Sequence, residues 1–289
     1  MNLDLGDVTL HARDQGSGPP VVLLHGWPDT GDLWRHQVHA LTAAGYRVIA
    51  PDLRGFGGSS KPTDLAAYTA PILVGDVVGL LDALGIQRAH LVGHDWGAAL
   101  AWMTAALVPD RVTSMTALSV GHPASFRSAG RRQREKSWYM LLFQFAGIAE
   151  RWLSADDFRN LREWSRHPDI EPVIQRLTDP AALTASLSMY RAILPPESLV
   201  EPPTPLSPVT IPTMGVWSSG DFALVEEGMT GSARYVTGPW RYERVDGAGH
   251  WLQLEAPDKV NTLLLDFLGQ QGEMAASRTT SHSSATSDN

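Results

Sequence analysis

Short runs of apolar and β-branched residues, each closed by a glycine or a polar turn, recur early in the chain: VVLLHG at 21–26, YRVIAPD at 46–52, AHLVGHD at 89–95 and VTSMTALSV at 112–120. Such runs lack polar alternation, which is the pattern of strands buried on both faces, as in a parallel sheet. Between them, TAPILVGDVVGLLDALG (69–85) and WGAALAWMTAALV (96–108) are long and apolar enough for covering helices. This alternation predicts an α/β fold with a mostly parallel, doubly wound sheet. DVTLHARDQG near the start reads as an antiparallel entry strand. After Gly121 the pattern turns helical and proline-punctuated, with no convincing buried strand, so 122–208 reads as an inserted helical lid. Strands return in TMGVWSSGD (213–221) and YERVDGAGH (242–250), and a closing helix is expected around 257–269. The core is therefore expected in two pieces, 1–121 and 209–270. The remaining 271–289 is rich in Ser and Thr and poor in large apolar residues. It cannot bury enough surface to offset its ordering entropy and reads as a disordered tail.

Composition narrows the function classes. With 289 residues and 43% hydrophobic content, the chain can bury one large core. Its 23 basic against 31 acidic residues give a net charge of −8, the wrong sign for wrapping nucleic acid or coating an anionic membrane. Neither is expected as a partner, and a small neutral ligand fits better. The basic run from Arg127 to Lys136 reads as a solvated lid-helix face. Cysteine is absent, which removes a disulfide framework, a thiol nucleophile and any thiolate zinc site. MNLDLGDVTLHARDQG does not read as a signal peptide, and no apolar stretch reaches membrane-span length, so the expected location is cytoplasmic.

Chemistry enters at LVGHDWGAAL, residues 91–100. A strand leads into Gly93, His94, Asp95, Trp96 and Gly97, and an Ala-rich helix follows. A nucleophile elbow needs small residues two before and two after the reactive one, because the sharp turn brings backbone segments into close approach. Gly93 and Gly97 meet that need. The turn lifts Asp95 above the carboxyl ends of the strands, at the positive end of the next helix, where a negative charge is favoured. Asp95 reads equally well as a helix N-cap. A carboxylate nucleophile also needs a base to activate water and an acid to orient that base. Of ten histidines, His250 alone ends the last predicted strand in a Gly-flanked loop at the elbow's edge; His25 and His94 flank other turns and read as structural. Asp221 follows a strand directly on the same edge, whereas Asp246 sits beside the His250 loop and should point elsewhere.

HGWPD (25–29), DLRGFGGSSKP (52–62), GHDWGA (93–98) and DGAGHWLQLEAP (246–257) together resemble the α/β-hydrolase superfamily and, within it, the epoxide hydrolases. The resemblance implies an α/β-hydrolase fold, Asp95 as nucleophile, Asp221 as orienting acid and His250 as base. It also implies an oxyanion hole from the backbone amides of Trp27 and Trp96. The lid segment YMLLFQFAGIAE resembles the one that carries a family tyrosine, mapping it to Tyr139. SMYRAIL maps a second to Tyr190, although Ser188 and Met189 replace the usual pair before it. The implied reaction converts an apolar epoxide and water to a vicinal diol through an Asp95 ester, with no metal or organic cofactor. Phenols suit this chemistry because a ring-opened alkoxide leaves poorly without donors, and a tyrosine of pKa about 10 keeps its proton at neutral pH.

The nearest alternative is a haloalkane dehalogenase, which shares the Asp and His machinery and expels halide. Trp96 suits both, and lid tryptophans 138, 152 and 164 keep that reading open; Trp27 stands where a dehalogenase usually carries a side-chain donor such as Asn. Asp at the elbow disfavours an esterase. A hydrolase-fold receptor without turnover is a further class, opposed by the complete set of Asp95, Asp221 and His250.

Overall fold

A computed structural model describes residues 1–199, 201 and 205–284, with 199 and 273–284 described by backbone alone. The sheet has eight strands: β1 (Asn2–Asp4), β2 (Thr9–Gln15), β3 (Pro20–Leu24), β4 (Arg47–Pro51), β5 (Ala89–His94), β6 (Val112–Leu118), β7 (Thr213–Ser218) and β8 (Trp240–Val245). Their order is β1-β2-β4-β3-β5-β6-β7-β8. β1 and β2 are antiparallel, and from β4 onward every pairing is parallel. β1 has no counterpart in the sequence reading, because three residues are too few to show a period.

The two faces of the sheet explain the unbroken apolar runs. Val22 and Leu24 of β3 pack with Leu80, Ala98 and Ala101 of the helices Ala70–Ala83 and Trp96–Leu107. Val21 and Leu23, one residue out of phase, pack on the other side with Trp34, Leu41, Leu264 and Phe267. Side chains alternate across a strand, so a strand covered on both sides must be apolar at every position. The last two belong to the closing helix Pro257–Ser284, which runs on past the expected 257–269. Gln271 is still buried there and bonds the Phe267 carbonyl. The expected tail begins on this helix, and its end at 285–289 lies outside the described residues.

Between β6 and β7 the described residues form helices and no strand: Pro123–Ser128, Arg131–Lys136, Trp138–Phe143, Ile148–Ser165, Ile170–Leu177, Pro180–Ile193 and a short turn at Pro196–Leu199. Ile148–Ser165 is interrupted by non-helical backbone from Ala155 to Phe158. Residues 200 and 202–204 of the expected lid lie outside the described residues. Because this segment leaves the sheet after β6, it arches over the carboxyl ends of the parallel strands, where ligands of open α/β sheets bind.

Candidate active site

Glycine chemistry makes the elbow. A Cβ on Gly93 would overlap the Gly97 carbonyl, and one on Gly97 would overlap the carbonyl of Leu24 on β3. Neither overlap can be relieved by a side-chain rotation, since both partners are backbone. Asp95 between them adopts φ 52° and ψ −120°, a conformation costly for a residue with a side chain and one that persists only when its surroundings impose it. Its carboxylate caps no amide of the following helix. Instead Oδ1 accepts a hydrogen bond from the Trp27 amide at 2.9 Å, so the N-cap reading does not describe how the side chain is used. A Cβ on Gly26 would strike this same carboxylate, which accounts for the glycine before Trp27.

His250 and Asp221 arrive from β8 and β7. Both strands end earlier than the sequence suggests, at Val245 and Ser218, and the two residues stand in the loops beyond. The turn at Asp246–Gly247 stops β8, with Gly247 at φ 84°. His250 Nδ1 lies 3.0 Å from Asp221 Oδ2, and Nε2 lies 3.6 Å from Asp95 Oδ2. The other oxygen of Asp221 accepts from the amides of Ala223 and Leu224 at 2.8 and 2.9 Å. Burial pushes the Asp221 carboxyl up, but His250 and these amides outweigh it and hold it below the ordinary carboxylate range. Burial pulls His250 down, yet Asp221 and Asp95 on either side raise it to about 10. Asp246 is exposed and bonds Arg244, away from this line.

The other singled-out histidines hold backbone. His25 accepts from the Leu53 amide on Nε2, so its Nδ1 donates to the Gly26 carbonyl. His94 Nε2 donates to the His250 carbonyl at 2.9 Å. Burial and repulsion from His250 lower His94 to about 4, so it stays neutral. Ser119 Oγ donates to the same carbonyl, and Lys136 of the lid donates to the Asp221 and Phe222 carbonyls at 2.6 and 3.0 Å. Sequence reading took His25 and His94 as structural but did not single out the supports from Ser119 and Lys136. Their only signal was adjacency to a turn, which many polar residues share.

Tyr139 and Asp95 line one cavity of about 110 Å³, with Trp96, Met103, Val120 and Met140 among its other walls. Tyr190 packs beside it, 5.0 Å from the Trp96 ring and 6.1 Å from Tyr139 between centroids. Burial, and the negative charge of Asp95, raise both phenols well above their ordinary value. Both therefore keep their protons. The Trp96 amide is the first N–H of its helix and has no intrahelical carbonyl to bond; the Trp27 amide is the one already on the carboxylate. The Trp27 indole turns away to Ser186 Oγ at 3.2 Å. Lid tryptophans 138, 152 and 164 meet one another edge to face, and Trp96 is the one tryptophan among the cavity's walls.

Asp29, the last residue of HGWPD, joins three parts of the chain. It accepts from Trp251 Nε1 at 2.9 Å and pairs with His167 of the lid at 3.0 Å. Burial raises its carboxyl, and His167 and Trp251 more than reverse this, bringing it to about 2. Among the described residues no cluster of His, Cys, Asp and Glu is arranged to hold a metal ion, and no helix is long and apolar enough to cross a membrane.

Residues 19–257 match the family described as alpha/beta hydrolase fold. The chain is 36% identical to "Epoxide hydrolase A" of Mycobacterium tuberculosis, over 92% of this chain and 96% of that protein. It is 33% identical to "Epoxide hydrolase" of Caballeronia sordidicola, over 90% and 91%. Among solved structures it resembles a Bacillus megaterium epoxide hydrolase in complex with an inhibitor, with a TM-score of 0.85, 28% identity, and coverage of 93% of this chain and 100% of the other.

Proposed function

The chain belongs to the epoxide-hydrolase family of the alpha/beta-hydrolase fold and is a hydrolase, and from that premise we propose that it opens a small apolar epoxide to a vicinal diol through an ester on Asp95. The observation that carries the reading is that Asp95 and the protonated Tyr139 share the wall of one largely apolar cavity. Asp95 Oδ1 is engaged by the Trp27 amide, which leaves Oδ2 as the attacking oxygen. Attack on an epoxide carbon breaks the ring C–O bond, and the alkoxide takes a proton from the tyrosine pair. The acyl carbonyl of the resulting ester is then the oxygen already at the Trp27 amide.

Alkylation also prepares the second step. In the free enzyme His250 holds a proton between two carboxylates. Esterification removes the charge of Asp95 and with it one of the two anions that stabilise the imidazolium. The proton is released to the site as the tyrosine pair is restored, and neutral His250 can act as base. It takes a proton from water, the hydroxide adds to the Asp95 carbonyl carbon, and the oxyanion meets the amides of Trp27 and Trp96. Collapse breaks the bond from the Asp95 acyl carbon to the ester oxygen, the leaving alkoxide takes the proton of the added hydroxyl, and the diol leaves with Asp95 again a carboxylate.

The test is to replace His250 with Gln, add styrene oxide, and weigh the peptide that contains Asp95. Deacylation stops while alkylation continues, so the peptide gains the whole mass of the epoxide. An unmodified peptide, or a label on another residue, rejects the nucleophile. The haloalkane reading retains one observation, the indole of Trp96 in the cavity wall beside Asp95. A haloalkane would add its mass less that of the hydrogen halide, and labelling by that substrate alone would select this reading.

A further inference from the structure

Of the large apolar side chains left exposed among the described residues, four stand on one stretch of the lid: Trp138, Leu141, Phe145 and Ile148, at 44–58% exposure. Trp138 and Leu141 lie three apart on the helix Trp138–Phe143, Phe145 stands in the turn after it, and Ile148 opens the next helix behind Gly147 at φ 76°. Four and seven residues before Trp138 stand Arg134 and Arg131, both exposed. Helices Arg131–Lys136 and Trp138–Phe143 are joined through Ser137 alone, at φ −88° and ψ 14°, which keeps the arginines next to the apolar residues along the chain. Gln133, Tyr139 and Phe143 of the same two helices are buried.

Charge follows this stretch. From Arg127 to Arg151 there are six basic residues against two acidic ones, a local +4 in a chain that carries −8. Both acidic residues are paired, Glu150 with Arg191 at 2.9 Å and Glu135 with Arg131 of the same segment at 2.7 Å. The net charge that argues against an anionic membrane for the whole chain therefore misdescribes this face. An apolar, Trp- and Phe-bearing segment flanked by arginines has the composition of a segment that lies in the headgroup region of a bilayer. A symmetric pairing of two copies would set the same basic segment against itself, whereas an anionic surface meets it with the opposite sign.

We propose that this lid face docks on anionic lipid, with Trp138, Leu141, Phe145 and Ile148 at the headgroup–acyl boundary and Arg131, Arg132 and Arg134 on the phosphates. Met140 of the helix Trp138–Phe143 and Arg127 line the substrate cavity, so docking sets the cavity beside the phase in which an apolar epoxide concentrates. That benefit rests on the epoxide reading; the docking does not.

The full chain is sedimented with sucrose-loaded vesicles of phosphatidylcholine, or of equal parts phosphatidylcholine and phosphatidylglycerol, at low and high salt. Binding to the anionic vesicles should exceed binding to the neutral ones by about ten-fold or more and weaken with salt. The double variant Phe145→Ser, Ile148→Ser and the charge reversal Arg131→Glu, Arg134→Glu should each lose about ten-fold in partition. Both should keep wild-type turnover of a water-soluble epoxide, which also shows that they fold. The proposal is overturned if the wild type stays in the supernatant with anionic vesicles, or if both variants bind as it does. It is equally overturned if the wild type elutes as a dimer that the Phe145→Ser, Ile148→Ser variant dissolves, since the segment would then be a self-association face. Absent turnover with intact vesicle binding would count against the epoxide reading alone.

Discussion

In the proposed mechanism, two phenols and one carboxylate carry the chemistry at the scale of single residues. Tyr139 forms part of the cavity wall, while Tyr190 is wedged among Trp27, Trp96 and Phe143. Replacing either with Phe removes a hydroxyl at nearly constant volume, so the core should tolerate it and the rate should report lost donation. By comparison with the loss of one oxyanion-hole donor, each variant should slow Asp95 alkylation on the order of 10²-fold. The double variant should be far slower, because no phenol remains to protonate the alkoxide. Single-turnover alkylation by styrene oxide, with circular dichroism as the folding control, measures this. A folded double variant that opens the ring at close to the wild-type rate would remove the tyrosines from the mechanism and leave the dehalogenase reading ahead.

At the scale of elements, the lid is joined to the core by buried polar links, and Asp29, itself buried and charged, makes one of them. It connects the loop after β3 to His167 of the lid and to Trp251, the residue after His250. Its carboxyl is held at about 2, below the ordinary 3.8, so the stability it contributes is present above about pH 4 and is lost as pH falls towards 2. Asp29→Asn keeps the shape and removes the charge from two buried donors. It should cost on the order of 1–3 kcal/mol at neutral pH, which is several degrees of Tm for a chain of this size. Calorimetry at pH 7 and again near pH 3 checks both parts of the argument. Equal melting at pH 7, or a gap that acid does not narrow, would show that the link carries no stabilising charge.

At the scale of the molecule, the sheet is covered on both faces, and the closing helix Pro257–Ser284 supplies Leu264, Phe267 and Leu268 to one of them. The composition beyond residue 272 offers few large apolar side chains, and we propose that this end is dispensable. The cut belongs after Gly272, because Gln271 is only 8% exposed and bonds Phe267. Truncation there should leave Tm and epoxide turnover nearly unchanged. A loss of several degrees would mean that the last residues dock on the fold.

Much of this architecture could be read along the chain, and the reasons are local. The glycines around Asp95 answer to a backbone turn, and the unbroken apolar runs answer to burial on two faces. Both demands fall on residues a few positions apart, where a one-dimensional pattern can record them. Asp95, Asp221 and His250 were legible because each follows a strand that such a pattern reveals. The lid tyrosines were not; two in a mixed helical segment look like core residues until family likeness singles them out. Which groups actually meet was decided by the order β3-β5-β6-β7-β8 and by the path of the lid over it. The Trp27 amide reaches Asp95 across 68 positions, His167 reaches Asp29 across 138, and Trp251 reaches Asp29 across 222. The high pKa of His250 is likewise a tertiary property, since it exists only where two carboxylates from separate strands flank one buried ring. Periodicity states which side of an element is buried; it carries no information about which distant element covers that side, and the site is made from those pairings.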